Sequence, residues 1–474
     1  MFIIRYSEIG LKGDKSRREM EHLLIENIRS EASKNNIDFE YKKTDGRIYI
    51  LSNDSKFHDI LPRIFGIKSF SHADEYTFKN KEEIASIILG NFREKVINKK
   101  FAVNVRRKGT HTFNSLDIEK MLGDALYEYS SGVNLENPDI MIYIEIRDNK
   151  FYTFTEKING PGGLPLKSEG KLISLFSGGI DSPVSTYMVM KRGSATDLLF
   201  CTLAHPADTI SMLKIAMNLL NKYSIGYNSR IYIIDGSPLI SYIVKNPGQK
   251  YANLIFKKLL YDYAEKLCLD HGYNGIVTGE SIGQVSSQTP ENLNAMSYGM
   301  SYPVFRPLIG FDKEETIEYS KNKGLYSNES IGEFCSLFSK NPGIKVKRWD
   351  FMEEIKKFSI NDYFSELISL NKNNIEEYLN SIVNRKFSGD TDENTVFIDL
   401  RNRDEYEKWH HCDSINLNLA HLNEFISESS KNKKYVFYCK KGLNSAYAAS
   451  IMVKNGFSAY YITEKELKKK GVNA

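Results

Sequence analysis

The residues Leu172-Ile-Ser-Leu-Phe176 run directly into Ser177-Gly-Gly-Ile-Asp-Ser-Pro183, and few folds can use such a sequence. A short apolar run bounded by turn residues suits a strand buried on both faces. Paired glycines let the backbone take up positive φ and approach an anion closely. Ser182 suits a helix cap, and Pro183 suits a first helical position. The product is a strand, a loop and a helix whose free N–H groups and positive dipole end face the strand's carboxyl edge, which is an anion site. A bare Gly-Gly would mark only a turn. Ser, Gly-Gly, Asp and Ser in this order after an apolar strand point to phosphate.

The surrounding rhythm predicts an α/β multidomain chain. Past the break at Gly160-Pro-Gly-Gly163, strands are expected at Lys171–Phe176, Leu198–Leu203, Arg230–Ile234 and Gly275–Thr278. Helices fall between them at Pro183–Arg192, about Thr209–Tyr223 and about Ala252–Leu269. Such alternation implies a mostly parallel sheet that binds ligands at its strands' carboxyl ends. Before the break, Phe2–Tyr6 and Arg47–Leu51 read as strands around a helix from about Ser16 to Lys34. A second alternating stretch ends in the strand Asp139–Ile146. Residues 341–395, rich in Lys, Asn, Asp and Glu, read as a helical linker, and 396–474 alternate again. Gly10 to Ser16, GLKGDKS, is not a Walker loop, because that motif needs Gly-Lys-Ser contiguous and Asp14 separates Gly13 from Lys15.

Charge and cysteine content narrow the possibilities. The chain has 474 residues and a net charge of +4, so no global polycation can hold a nucleic acid, and any basic surface must be local. Arg93, Lys95, Lys99, Lys100, Arg106, Arg107 and Lys108 form such a cluster, although residues 1–170 carry 27 basic and 26 acidic side chains. It is either a solvated face or a contact for a phosphate backbone, which needs concentrated charge. No apolar run reaches the roughly 18–20 residues of a membrane span, and Arg5 interrupts the apolar start, so a cytoplasmic protein is expected, with no membrane partner. The five cysteines are too scattered for a zinc site or a disulfide framework, and no resident metal is expected.

Cys439 is the cysteine whose setting suggests reactivity. It follows the apolar Tyr435-Val-Phe-Tyr438 and opens Cys-Lys-Lys-Gly-Leu-Asn-Ser445 before a helix. A thiol at a helix N-terminus beside Lys440 and Lys441 should have a lowered pKa; the plain alternative is a cysteine packed on a sheet. Cys201 and Cys268 fall in an apolar strand and an amphipathic helix and read as core. Cys412, near His410 and His411, is ambiguous, and Cys335 by its residues alone reads as a core thiol rather than a reactive one.

These strings carry resemblances. SGGxDS resembles the pyrophosphate loop of the ATP pyrophosphatases, and the missing Walker lysine agrees with that class. CxxGxxS after a strand, with Asp399-Leu-Arg401 and Asp413–Leu417 upstream, resembles rhodanese domains, although Lys440 and Asn444 stand where those loops often carry arginines. That departure favours a persulfide handed over by a protein above thiosulfate. Both loops on one chain, together with Tyr6–Gly13, Arg63–Phe70, Val105–Arg107, Asn137–Asp139, Gly162–Pro165, Thr278–Thr289 and Arg306–Gly310, resemble the tRNA 4-thiouridine synthase (tRNA sulfurtransferase) family over almost the whole chain.

That resemblance implies a ferredoxin-like domain (1–55), an RNA-binding THUMP domain (56–160), an ATP-pyrophosphatase domain (161–340), the linker (341–395) and a rhodanese-like domain (396–474). It implies ATP contacts at Leu175, Phe176, Ser177, Gly178, Gly179, Asp181, Ser182, Lys257, Gly279 and Gln288. Asp181 and Lys313 match the catalytic acid and lysine, and the basic cluster becomes an RNA contact. Cys439 matches the persulfide carrier, and Cys335 the thiol that forms a redox-active disulfide with it. The implied reaction adenylates the 4-carbonyl of uridine 8 in tRNA with ATP, Mg²⁺ being expected with it, and then replaces AMP by sulfur. A cysteine desulfurase is the natural donor, and a thiamine-pathway acceptor is a possible second destination. A sulfur carrier acting only in thiamine synthesis, or a non-catalytic RNA-binding protein, are the competing readings.

Overall fold

The computed structural model describes all residues except 45, 203–205, 247, 248, 250, 328–345, 377, 378, 380–385, 441, 442 and 470–474. Cys335 therefore lies outside the described residues. The chain divides into two compact units, Met1–Ser168 with Lys191–Gly193, and Glu169–Met190 with Ser194–Ala474.

The first unit holds two sheets. Strands β1 (Phe2–Arg5), β2 (Glu40–Thr44), β3 (Arg47–Leu51) and β4 (Ser69–His72) form one, and β5 (Asp74–Thr77), β6 (Phe101–Lys108), β7 (Ile140–Arg147) and β8 (Lys150–Phe154) form the other. β9 (Ile158–Asn159) returns to the first, giving the orders β2-β3-β1-β4-β9 and β5-β8-β7-β6. The expected boundary at 55/56 is thus corrected, since β4 and β9 complete the sheet that β1 starts. These strands are short and their partners are far away in sequence, so no local pattern announces the pairing.

The helices Lys81–Phe92 and Ser115–Tyr127 cover the second sheet, with Ile84, Ile88, Ile118, Leu122 and Leu126 in its core. Asn80 caps the first, and Asn114 and Asp117 cap the second reciprocally, satisfying N–H groups that a helix start leaves unpaired. Ile3, Tyr49, Tyr152 and Phe154 share a cluster between the two sheets. Beside it Arg5 and Glu145 form a buried ion pair at 2.7 Å.

The second unit is built on β10 (Lys171–Leu175), β11 (Ala195–Thr202), β12 (Arg230–Asp235), β13 (Ile276–Val277), β14 (Val304–Phe305) and β15 (Ser365–Asn371). Their order is β14-β13-β10-β11-β12-β15. All neighbours are parallel except β15, which pairs antiparallel with β12. The chain builds outward from β10 through β11 and β12, then returns to the other side of β10, so the topological switch point lies between β10 and β13. β15 corrects the linker reading: of residues 341–395, Arg348–Ile355 is helical, Ser365–Asn371 closes the sheet edge, and Phe387 N–H bonds Tyr461 O at 2.7 Å. A seven-residue edge strand among charged and amide residues offers too little alternation to be read as one.

A smaller parallel sheet follows, from β16 (Thr395–Asp399), β17 (Ile415–Asn416), β18 (Lys434–Cys439) and β19 (Ser458–Thr463), in the order β17-β16-β18-β19. Its switch point lies between β16 and β18. Helix Leu443–Lys454 packs on β18 and β19 and also meets helix Pro206–Tyr223 of the larger sheet. No helix among the described residues is long and apolar enough to cross a membrane.

Candidate functional sites

The first site forms where β10 ends. Its strand is buried through Leu172, Ile173 and Ser174, and the Ser174 hydroxyl is matched by Thr186 at 2.8 Å. Phe176 is buried and donates its N–H to Leu199 O at 2.8 Å, and Leu175 is half-buried before it. Gly178 then takes φ +74°. The helix spans Asp181–Lys191, which corrects the expected cap: Ser182 is the second helical residue and Pro183 the third. A proline costs little there, because first-turn N–H groups lack intrahelical acceptors anyway. Ser182 Oγ instead accepts the Ser177 N–H at 3.1 Å and closes the loop on itself.

Across the switch point, Gly279 presses against the start of this helix. A Cβ there would lie 2.9 Å from Asp181 C and 3.1 Å from Ser182 N, so a glycine is required by the approach. Lys313, first residue of a helix capped by Asp312 and Glu315, donates to Asp181 Oδ1 at 2.9 Å and to Oδ2 at 3.1 Å. Gln284 Nε2 donates to Oδ2 at 2.9 Å. Gln288 is buried, and its Oε1 accepts the Ser281 N–H at 3.3 Å.

Lys257 donates to Ser287 Oγ at 3.0 Å and stands 3.7 Å from Glu280. Glu280 also takes Arg306 at 2.9 Å. Burial alone would push the Glu280 carboxyl up, but the Lys257 and Arg306 charges outweigh it and hold the carboxyl below its ordinary value. The structure therefore brings Ser177, Gly178, Gly179, Asp181, Ser182, Gly279 and Lys313 to one crevice, with Lys257 and Gln288 on the loop network beside it. Sequence reasoning assigned no role to Gln284, Glu280 or Arg306, although all three lie in quoted strings; only the fold reveals their partners.

The second site lies at the other switch point. Cys439 ends β18 and is buried, with Sγ 3.5 Å from Ser445 Oγ on the helix that follows. Asp399, at the end of the neighbouring β16, is fully buried and grips Arg401, whose Nε and Nη2 donate at 3.0 and 2.6 Å. Arg401 also reaches Glu464 at 3.1 Å and lies over Trp409 and Tyr438. These bonds pin the two loops at the sheet's carboxyl edge. Lys440 reaches Glu405 at 3.3 Å, and Lys441 lies outside the described residues. Cys201 and Cys268 are buried; burial pushes the first thiol up, and raises the second to about 12. Cys412 is exposed. Among the described residues no cluster of His, Cys, Asp and Glu could hold a metal.

The basic cluster is divided. Arg93, Lys95, Lys99 and Lys100 are exposed before β6, whereas Arg106, Arg107 and Lys108 end it. At about 3.3 Å per strand residue the two groups stand roughly 23 Å apart. Arg107 turns inward to Gly109 O and His111, both at 3.0 Å. Arg106 instead stands near Lys157, whose ammonium is pushed down by burial and then by the charges of Arg106, Arg5 and Lys68. Lys157 and Lys68 were not foreseen, since they are remote from the cluster in sequence.

A doubly wound sheet with a glycine loop at its switch point, joined to a small parallel sheet with a cysteine at its own, defines a pyrophosphatase-like protein carrying a rhodanese-like domain. Family comparison agrees: the ThiI ferredoxin-like domain matches residues 1–71, the THUMP domain 78–156, the thiamine biosynthesis protein (ThiI) family 167–360 and the rhodanese-like domain 385–469. A tRNA sulfurtransferase of Thermoplasma acidophilum is 43% identical over 470 residues, covering 99% of this chain and 96% of that protein. One from Pyrobaculum aerophilum is 34% identical over 467 residues, covering 97% and 95%. The chain belongs to the tRNA sulfurtransferase family. Among solved structures, a 4-thiouridine synthetase in complex with RNA and bound ATP is 29% identical with a TM-score of 0.63, covering 80% of this chain and 96% of that one. PH1313 from Pyrococcus horikoshii is 28% identical with a TM-score of 0.54, covering 68% and 99%.

Proposed function

We propose that this chain converts uridine 8 of tRNA to 4-thiouridine, using ATP to activate the base and a persulfide on Cys439 to supply sulfur. The observation that carries the reading is the pairing of Asp181 with Lys313 on a phosphate-type loop, in a chain that also holds a cysteine at a second switch point. The solved relative with RNA and ATP supports the nucleotide and the nucleic acid.

The chemistry assigns each site a step. The 4-carbonyl oxygen is a poor leaving group. It attacks the α-phosphorus of ATP, pyrophosphate departs, and the N–H groups of the Ser177–Ser182 loop with Lys313 offset the developing charge, while Lys257 contacts the phosphates of the bound nucleotide. Asp181 is the carboxylate that would meet a Mg²⁺ ion accompanying the nucleotide, which would supply further charge neutralisation on the phosphates. The outer sulfur of the Cys439 persulfide then attacks C4 and AMP leaves. The Cys335 thiolate attacks Cys439 Sγ, releasing 4-thiouridine and leaving a Cys335–Cys439 disulfide, which an external dithiol must reduce. A cysteine desulfurase loads the persulfide, in the cytoplasm.

The match to the ThiI family favours one further reading, in which the same persulfide feeds a thiamine-pathway acceptor without RNA or ATP. Purified protein with tRNA, ATP, a cysteine desulfurase and cysteine tests the first reading. Mass analysis should find 4-thiouridine with the wild type, single-turnover product with Cys335→Ala, and none with Cys439→Ala. Thiolation by Cys439→Ala would overturn the carrier role. Loss of thiamine-thiazole formation in cells carrying Cys439→Ala, but not Asp181→Ala, would establish the second destination.

A further inference from the structure

Glu280 follows Gly279 in the loop after β13, and the proposed reaction gives it no part. It is 6% exposed. Its Oε2 accepts from Arg306 Nε at 2.9 Å, from Thr278 Oγ1 at 3.1 Å and from the Tyr261 hydroxyl. Its Oε1 faces Lys257 Nζ at 3.7 Å. Arg306 is held further by Ser297 Oγ at 2.7 Å, whereas Lys257 donates on its other side to Ser287 Oγ at 3.0 Å. The ammonium thus bridges helix Ala252–His271 to the loop that carries Gln284 and Gln288.

One carboxylate facing two cations leaves this buried cluster with a surplus positive charge. Arg306, fastened by Glu280 and Ser297, accounts for the structural tie between β13 and β14. Lys257 is the additional cation, and without Glu280 its ammonium would keep the Ser287 Oγ contact but face the Arg306 charge with no carboxylate between them to hold it in place. We infer that Glu280 is a positioning residue for Lys257, holding its ammonium in place at the crevice where the phosphates of ATP bind. This rests on the nucleotide reading above.

The test is titration calorimetry of the full-length protein with ATP, together with the ATP dependence of thiolation. Glu280→Gln is expected to raise the Kd and KM for ATP at least tenfold, with kcat within threefold at saturating ATP. Lys257→Met should do the same. The pair Lys257→Met with Glu280→Gln should bind no more than twofold worse than Lys257→Met alone, because residues acting through one contact are not additive. That pair also removes both opposed charges, and serves if thermal melting shows that Glu280→Gln by itself is unfolded. A folded Glu280→Gln variant within twofold of wild-type Kd, or a pair whose loss is the product of the two single losses, overturns the inference. The wild-type titration keeps the readings apart. No binding by wild-type protein rejects the nucleotide site and this inference with it, whereas wild-type binding that Glu280→Gln leaves intact rejects only the role of Glu280.

Discussion

Lys313 Nζ lies 2.9 Å from Asp181 Oδ1, although 132 positions separate them in the chain. The contact crosses the switch point of the larger sheet, where the loop after β10 faces the segment after β14. It makes Asp181 one member of a charge pair, further held by Gln284. In the proposed reaction the lysine of this pair would offset the leaving pyrophosphate, and the carboxylate would be available to a metal accompanying the nucleotide.

Asp181→Ala is therefore expected to lower tRNA thiolation by at least 10²-fold, the scale of losing one preorganised electrostatic group. Labelling of persulfide on Cys439 should be unchanged, because that site lies on another sheet. Retained thiolation, measured by nucleoside mass analysis, would reject the adenylation role.

Gly279→Ala should damage the loop without touching any charge. The added methyl meets Asp181 C at 2.9 Å and Ser182 N at 3.1 Å, and these are backbone atoms that cannot swing aside. Overpacking of this kind costs about 1–3 kcal/mol. A lower urea midpoint and weaker ATP binding are expected together; wild-type values for both would show that the helix start yields.

In the first unit, Glu145 faces Arg5 at 2.7 Å and Arg47 at 3.3 Å, all largely buried. Removing one partner of such a pair costs about 3–5 kcal/mol, so Glu145→Gln should lower thermal stability sharply. Burial alone would raise the Glu145 carboxyl, but Arg5 and Arg47 hold it below its ordinary value. The stabilisation is therefore complete above the unfolded pKa of about 4.3 and disappears as the pH falls through the lower folded value. Acid unfolding monitored on wild type and Glu145→Gln should converge at low pH, and parallel curves would refute the assignment.

The divided basic cluster gives a contrast in RNA binding. Arg106 stands near Lys157 and Lys68, whereas Arg5 is compensated by Glu145, so positive charge gathers at this end of the strand, as a polyanion site demands. Arg106→Glu with Lys108→Glu should weaken tRNA binding and reduce the slope of log affinity against log salt by about 2, at roughly 0.9 per lost phosphate contact. Lys99→Glu with Lys100→Glu should change that slope by less than half as much. Equal effects would show that both ends of β6 touch the nucleic acid.

Local pattern carried much of this molecule. The apolar run ending at Phe176, the glycines after it and the strand ending at Cys439 each announce their element, because strand burial, positive φ and helix starts are properties of neighbouring residues. The loops at Ser177 and Cys439 and the family resemblance were legible for the same reason. Tertiary structure alone decided which distant groups meet: Lys313 on Asp181, Glu280 on Lys257 and Arg306, and β4, β9 and β15 on sheets begun far upstream. It also separated Lys100 from Arg106, whose closeness in sequence becomes the length of a strand. Such relations depend on how the chain crosses over between parallel strands, and that order is settled by packing whole sheets and helices, not by any window of residues.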